Sequence, residues 1–206
     1  MNKKLILIGA SGHGKVIADI AKKNGYSEIA FLDDNEAIRQ CAGYAVLDKT
    51  DAAIRFSDCD FIVSIGNAKV RQRLQEQLER DGLSVVTLIH PNAIIADGVE
   101  IGKGTVVMAG AVVNPYAVIG QGCIINTCAS VDHDCNIEDY VHVSVGSHVA
   151  GTVRIGKRTW IGAGAVVRNN LSICADCMLG AGAVIVKDIT ESGIYVGVPA
   201  GKVNSL

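Results

Sequence analysis

Ile119-Gly-Gln-Gly-Cys-Ile-Ile125-Asn-Thr-Cys-Ala-Ser-Val131-Asp-His-Asp-Cys-Asn-Ile137-Glu-Asp-Tyr-Val-His-Val143 places an aliphatic side chain at every sixth position. The register continues in both directions from Ile95 to Ile185, through sixteen consecutive positions. Six residues turn an α-helix by about 600°, so such a stripe would wander around a helix rather than face a core. A parallel β-helix fits instead: each repeat makes one short strand and one turn, three repeats close a triangular coil, and the aliphatic residue points inward. Sixteen repeats give a little over five coils, a column roughly 25 Å long at ~4.8 Å between strands. The position two before the aliphatic is mostly small (Ala111, Ala117, Cys123, Ala129, Cys135, Ala165, Cys177), which suits a tight corner. The position just after it is often glycine (Gly102, Gly120, Gly156, Gly162, Gly180), which predicts unusual backbone angles there. Periodicity leaves the handedness of the coil open.

Upstream of that register the pattern changes. Leu5-Ile6-Leu7-Ile8 is a continuous apolar run suited to a central parallel strand, and Gly9-Ala10-Ser11-Gly12-His13-Gly14 follows it directly. A helix is predicted next, with Val16, Ile17, Ile20 and Ala21 on one face and Asn24-Gly25 as its stop. A second strand, Ile29 to Leu32, ends in Asp33-Asp34; a third, Phe61 to Ile65, ends in Gly66-Asn67 ahead of a helix carrying Val70, Leu74 and Leu78. This order describes a small doubly wound α/β unit whose ligand site lies at the carboxyl ends of its strands. Against the dinucleotide fingerprint G-x-G-x-x-G the chain supplies Gly9, then Ser11 in place of the second glycine, then Gly14, with the acidic pair ~20 residues further on. The second glycine is the one that lets backbone approach a pyrophosphate, so serine there argues against NAD. Pro91, after Ile89-His90, interrupts any regular element. The expected division is therefore a Rossmann-like α/β domain at residues 1–90 and an all-β domain at residues 91–206.

Composition excludes several classes of function. Nineteen Lys and Arg against 21 Asp and Glu leave a net charge of −2, with no basic patch for nucleic acid. No apolar run approaches the ~20 residues of a membrane span. The Leu5–Ile8 run is too short for a signal core, so no membrane insertion and a cytoplasmic location are expected. The seven cysteines show no disulfide-framework spacing. Cys123, Cys135 and Cys177 fall on the small position of the repeat, and Cys174-Ala-Asp-Cys177 lacks the second ligand pair that a zinc site needs.

Five histidines remain as candidates for chemistry: His13 in the glycine turn, His90 in the linker, and His133, His142 and His148 in the solenoid. His142 and His148 each precede an inward aliphatic and therefore point outward. His133 lies two residues after Val131, near a corner. An eighteen-residue step places Gly151 beside it on the next coil, which predicts a gap next to the imidazole, with Ala150 adding room for a ligand. A neutral imidazole near pH 7 can take a proton from an attacking amine or hydroxyl, and a carboxylate can keep its other nitrogen protonated. Asp134 is the obvious partner, but neighbours in an extended strand point apart, so only a corner would bring the two together. A metal is not expected, because outward residues on different faces converge only through a second subunit.

These residues belong to motifs: Gly9-Ala10-Ser11-Gly12-His13-Gly14, Phe31-Leu32-Asp33-Asp34, Ile65-Gly66-Asn67, Leu88-Ile89-His90-Pro91, Ser130-Val131-Asp132-His133-Asp134-Cys135, His142-Val143-Ser144-Val145-Gly146 and Val196-Gly197-Val198-Pro199-Ala200. Through them the chain resembles, over essentially its whole length, the PglD/NeuD-type bacterial nucleotide-sugar acetyltransferases. The resemblance implies a left-handed β-helix and a homotrimer, with acetyl-CoA between adjacent β-helices and the nucleotide-sugar on the N-terminal domain. It also implies His133 as general base and Asp134 as the residue that tunes it. Ser11, Gly12, His13, Asp33, Asp34 and Gly66 would contact the nucleotide-sugar; His142, Gly151, Ala163 and Ala181 would contact acetyl-CoA. The bacillosamine-pathway member of this family has glutamate after the histidine, where this chain has Asp134. The activity implied is N-acetylation of the 4-amino group of a nucleotide-linked 4-amino-4,6-dideoxy sugar, UDP-linked and bacillosamine-like. O-acetylation of sialic acid by the same machinery, and a non-catalytic nucleotide-binding scaffold, remain open as alternatives.

Overall fold

In a computed structural model, which describes residues 3–204, the chain separates into two compact units, Met1–Pro91 and Asn92–Leu206. The first is built on a six-stranded sheet of β1 (Lys3–Ile8), β2 (Tyr26–Leu32), β3 (Gln40–Cys41), β4 (Tyr44–Asp48), β5 (Asp60–Val63) and β6 (Ser84–Val85), in the order β3-β4-β2-β1-β5-β6. All pairs are parallel except the β3–β4 hairpin. Leu5, Leu7, Phe31, Leu32, Phe61 and Ile62 are fully buried, as the continuous apolar runs require. Helix α1 (Gly12–Lys23) follows β1, and α2 (Ala68–Arg80) follows β5. Because β1 lies between β2 and β5, the strand order reverses there, and the ends of β1 and β5 form the switch point where such sheets take ligands.

The helices depart from expectation in which residues they bury. Val16 is 42% exposed; the face of α1 turned inward is made by Gly14, Ile17, Ala18 and Ala21, with Ile20 beside them. Gly14 is on that face because a side chain would not fit: a Cβ there would lie 2.6 Å from the Gly9 carbonyl and 2.9 Å from the Phe31 ring. In α2, Val70 and Leu74 are half-buried, while Arg71, Gln75 and Leu78 are buried. Asn67 caps this helix, its side chain accepting from the Val70 amide at 3.1 Å.

The second unit is a three-faced parallel β-helix, left-handed as the family resemblance implies. Sixteen two-residue strands run from Ile94–Ile95 to Val184–Ile185, and each pairs with the strand eighteen residues away, as Ile124 with His142 and His142 with Trp160. From Val107 to Ile185 the sixth-residue aliphatics are all buried, and Cys123, Cys135 and Cys177 are buried beside them at the small position. The glycines just after the aliphatics serve a different purpose from the one expected. They are not in the left-handed region; they stand where successive coils approach, and a Cβ on Gly102 would lie 2.5 Å from the Gln121 nitrogen. The left-handed corner is three residues before each aliphatic. There φ lies between +54° and +73° at fifteen successive repeats from Gly98 to Gly182, seven times at glycine and eight times not. Asp134, at φ +56°, is one of the eight.

Candidate functional site

The left-handed corner is what joins His133 to Asp134. Turning the backbone at Asp134 swings its side chain back alongside its predecessor, and His133 Nδ1 lies 2.8 Å from Asp134 Oδ2. Both side chains are 56% exposed, so the pair is open to an incoming ligand. With Nδ1 donating to the carboxylate, Nε2 holds the lone pair. The hydrogen bond to Asp134 is the chief cause that raises the imidazole pKa above its ordinary 6.5, with the charge of Asp132 adding to it.

Asp132 is a member of this group that sequence reasoning missed, although the Asp-His-Asp run displays it. Its Oδ1 accepts from the His133 amide at 2.8 Å and from Asn114 Nδ2, one coil back, at 2.7 Å. Those bonds hold the Asp132 carboxyl below the usual carboxylate range and brace the backbone under His133. The expected gap beside the imidazole is absent. The ring itself fills the space over Gly151, where a Cβ would lie 2.5 Å from His133 Nε2 and 2.7 Å from Cε1.

The residues assigned to acetyl-CoA fall at two corners. Gly151 shares the corner of His133, between the faces that contain Ser130–Val131 and Asn136–Ile137. His142 belongs to the face of Ile124–Ile125 and Trp160–Ile161, and Ala163 and Ala181 lie at the corner that follows it, both exposed. Ala163 and Ala181 stack on successive coils, with the Gly182 amide donating to the Ala163 carbonyl at 2.8 Å. Gly164 and Gly182 leave open space beside them, so this edge presents bare, uncovered backbone. The whole face of Ser130, His148 and Val166 separates the two corners in one chain.

At the switch point of the first unit, Ser11 and Gly12 are exposed at the start of α1, whose first-turn N–H groups suit a phosphate. Gly66 is exposed at the end of β5. His13 stands between solvent and core: its Nε2 is buried with no hydrogen-bond partner, and burial, helped by the Arg71 charge, depresses its pKa to about 4. It is therefore neutral at any physiological pH. Arg71, the largest fully buried side chain, donates to the Ile65 and Gly66 carbonyls at 2.9 and 2.7 Å and fixes the loop after β5. The apolar spacing of Val70, Leu74 and Leu78 gave no sign of it. Asp33 Oδ2 accepts from the Ala10 amide at 2.6 Å and so shapes the glycine turn. Asp34 is turned away from that loop, its Oδ1 accepting from Thr50 N and Oγ1 at 3.0 and 2.8 Å. Among the described residues no group of His, Cys, Asp and Glu is arranged to hold a metal ion, and no helix is long and apolar enough to cross a membrane.

Comparison with known proteins supports the same assignment. The PglD N-terminal domain family matches residues 4–78, and the bacterial transferase hexapeptide family, six repeats long, matches residues 152–187. A GDP-perosamine N-acetyltransferase of Escherichia coli O157:H7 is 30% identical over 80% of this chain and 78% of its own length. The acetyltransferase domain of PglB from Neisseria gonorrhoeae FA1090, also solved with acetyl coenzyme A, is 40% identical; the match covers 98% of this chain and 100% of that one with a TM-score of 0.94. PerB from Caulobacter crescentus, solved with CoA and GDP-perosamine, is 34% identical over 99% of both chains at a TM-score of 0.94. With the same two units in the same order over nearly the whole length of these relatives, the chain belongs to the PglD/NeuD-type nucleotide-sugar acetyltransferases, hexapeptide-repeat enzymes that use acetyl-CoA.

Proposed function

We propose that this enzyme N-acetylates the 4-amino group of a nucleotide-linked 4-amino-4,6-dideoxy sugar, with a UDP-linked, bacillosamine-like sugar as the first choice of acceptor. The observation that carries the reading is the His133–Asp134 pair at 2.8 Å. In this reading the first unit binds the nucleotide, with Ser11, Gly12, His13, Asp33, Asp34 and Gly66 as its contacts, and the second supplies the base. Acetyl-CoA provides the electrophilic thioester carbonyl. As the sugar amine attacks it, a C–N bond forms, the C–S bond breaks, and the amine proton passes to His133 Nε2, which then returns it to the departing thiolate. Asp134 stabilises the transient imidazolium and, by accepting from Nδ1, keeps Nε2 as the proton-accepting nitrogen beside Gly151. Relatives named as amino-sugar N-acetyltransferases favour an amine over the hydroxyl of sialic acid. They include a GDP-perosamine enzyme and, at 34% identity over half of each chain, a UDP-N-acetylbacillosamine enzyme of Bacillus subtilis. Thiol release with UDP-, dTDP- and GDP-linked 4-amino sugars, and with CMP-sialic acid, tests the assignment. Turnover of sialic acid alone would overturn it.

The separation of His133 from His142, Ala163 and Ala181 on one prism supports a homotrimer, in which side-by-side prisms form three equal clefts. Light scattering at micromolar concentration is expected to give the trimer mass, and a stable monomer would contradict a shared site. The raised pKa of His133 sets a pH dependence as well. The base form appears only as pH rises through that raised value, so the acidic limb of kcat/KM is expected above pH 6.5, the ordinary imidazole value. Asp134→Asn removes the main cause of the shift and is expected to move the limb to lower pH while lowering the plateau.

For the first unit, the relatives named for GDP- and UDP-linked sugars favour a nucleoside-diphosphate sugar over NAD. Asp34→Ala is expected to weaken nucleotide-sugar binding by roughly 1–3 kcal/mol, either by losing a direct contact or by releasing Thr50, and to leave acetyl-CoA affinity unchanged. Separate calorimetric titrations measure both. Micromolar NAD affinity with no response to any nucleotide-sugar would sink the assignment of this unit.

A further inference from the structure

His142 is held by two neighbours whose contacts repeat one geometry. Asn126 and Ser144 occupy the same corner position on successive coils, and each bonds the outward residue sixteen positions on. Asn126 Nδ2 lies 3.1 Å from His142 Nε2, and Trp160 Nε1 donates to Ser144 Oγ at 2.6 Å. Between these bonds the imidazole and the indole lie parallel, with an interplanar angle of 3° and centroids 5.8 Å apart, inside the range of a favourable aromatic pair. The direction of the Asn126 contact is fixed by its other end. Its Oδ1 accepts from the Thr127 amide at 2.7 Å, so the group facing His142 is the NH₂, which only donates. His142 Nε2 is therefore the acceptor, and the proton of the neutral ring sits on Nδ1. Ser144 is 5% exposed, so the anchor of the indole is itself fixed in the wall of the coil.

We infer that Trp160 and Asn126 are positioning residues for His142, holding its ring in one plane and in the Nδ1–H tautomer as a preset hydrogen-bond donor toward the acyl donor. This rests on the reading of His142 as an acetyl-CoA contact. Stacking on a flat partner restricts ring rotation, and a donor facing Nε2 disfavours both the other tautomer and the imidazolium. Preset donors of this kind need no reorganisation when charge develops on a thioester oxygen.

Two measurements on the full-length protein test the inference. Long-range ¹H–¹⁵N NMR of the histidine side chains, with His142 assigned by its loss in His142→Ala, is expected to show a protonated Nδ1 and an unprotonated Nε2 at pH 7.5. In Asn126→Leu the other tautomer is expected to appear; a protonated Nε2 in the unsubstituted protein overturns the inference. In kinetics, Trp160→Leu is expected to lower kcat/KM for acetyl-CoA about tenfold, a usual size for a coupled neighbour, and Trp160→Phe, which keeps a flat ring, to recover most of it. On a His142→Ala background Trp160→Leu is expected to add nothing. Unchanged kinetics in His142→Ala would remove the reading beneath the inference. An impaired His142→Ala that loses a further full factor from Trp160→Leu would overturn the inference alone.

Discussion

Replacing His133 by Ala is expected to lower kcat by about 10²–10⁴, the usual worth of a positioned general base, with the KM for acetyl-CoA little changed. The split follows from geometry. His133 shares its corner with Asp134 and with one proposed acetyl-CoA contact, Gly151, whose backbone the substitution leaves in place, whereas His142 lies on another face and Ala163 and Ala181 on another corner. Truncating an imidazole whose side chain is 56% exposed opens no cavity in the core, so the thermal midpoint is expected to stay near that of the parent. Asp134→Ala is expected to cost less in rate, because Nε2 remains available when its orienting partner is lost. Single-turnover thiol release across pH 6 to 9 is the deciding measurement: near-parental turnover in His133→Ala over that whole range would remove the residue from the mechanism.

The repeat made the second unit readable because one inward residue per six is a rule the fold cannot break. Every strand from Ile94–Ile95 to Val184–Ile185 lies where that period puts it. What the period could not show was which position carries the unusual backbone. Glycine after the aliphatic invites a reading of strained φ, yet those glycines answer to the approach of the next coil, and the true left-handed position is occupied more often by Asp, Tyr, Thr, Arg, Asn or Cys than by glycine. Composition is a poor guide there because coil-to-coil bonding supports the corner: Asp134 N donates to the Pro115 carbonyl and Thr152 N to the His133 carbonyl. The same fact explains the site. An Asp next to a His reads as two side chains pointing apart until the corner is placed at the Asp. In the first unit the apolar stripes located the helices but not their polar members. Arg71 is buried because its guanidinium satisfies two loop carbonyls, a condition set by tertiary neighbours that no periodicity records.

Two glycine-to-alanine substitutions separate catalysis from folding in the same β-helix. At Gly102 a Cβ would lie 2.5 Å from the Gln121 nitrogen and 2.6 Å from the Gly120 carbonyl carbon, both backbone atoms of the next coil. Neither can yield without parting the coils, so Gly102→Ala is expected to cost about 1–3 kcal/mol, as overpacking in a close-packed interior does, and to lower the thermal midpoint. At Gly151 the clash is with a side chain. The new Cβ would lie 2.5 Å from His133 Nε2, and the exposed imidazole can rotate away. Gly151→Ala is therefore expected to leave the thermal midpoint almost unmoved and to lower kcat by roughly 10²-fold, the scale on which a reacting group displaced by about 1 Å loses its advantage. Because φ at both glycines lies outside the left-handed region, backbone strain contributes to neither result. Calorimetric melting and thiol-release kinetics on the two variants check the contrast. Loss of stability without loss of rate in Gly151→Ala would show that the imidazole does not act from its place over that glycine.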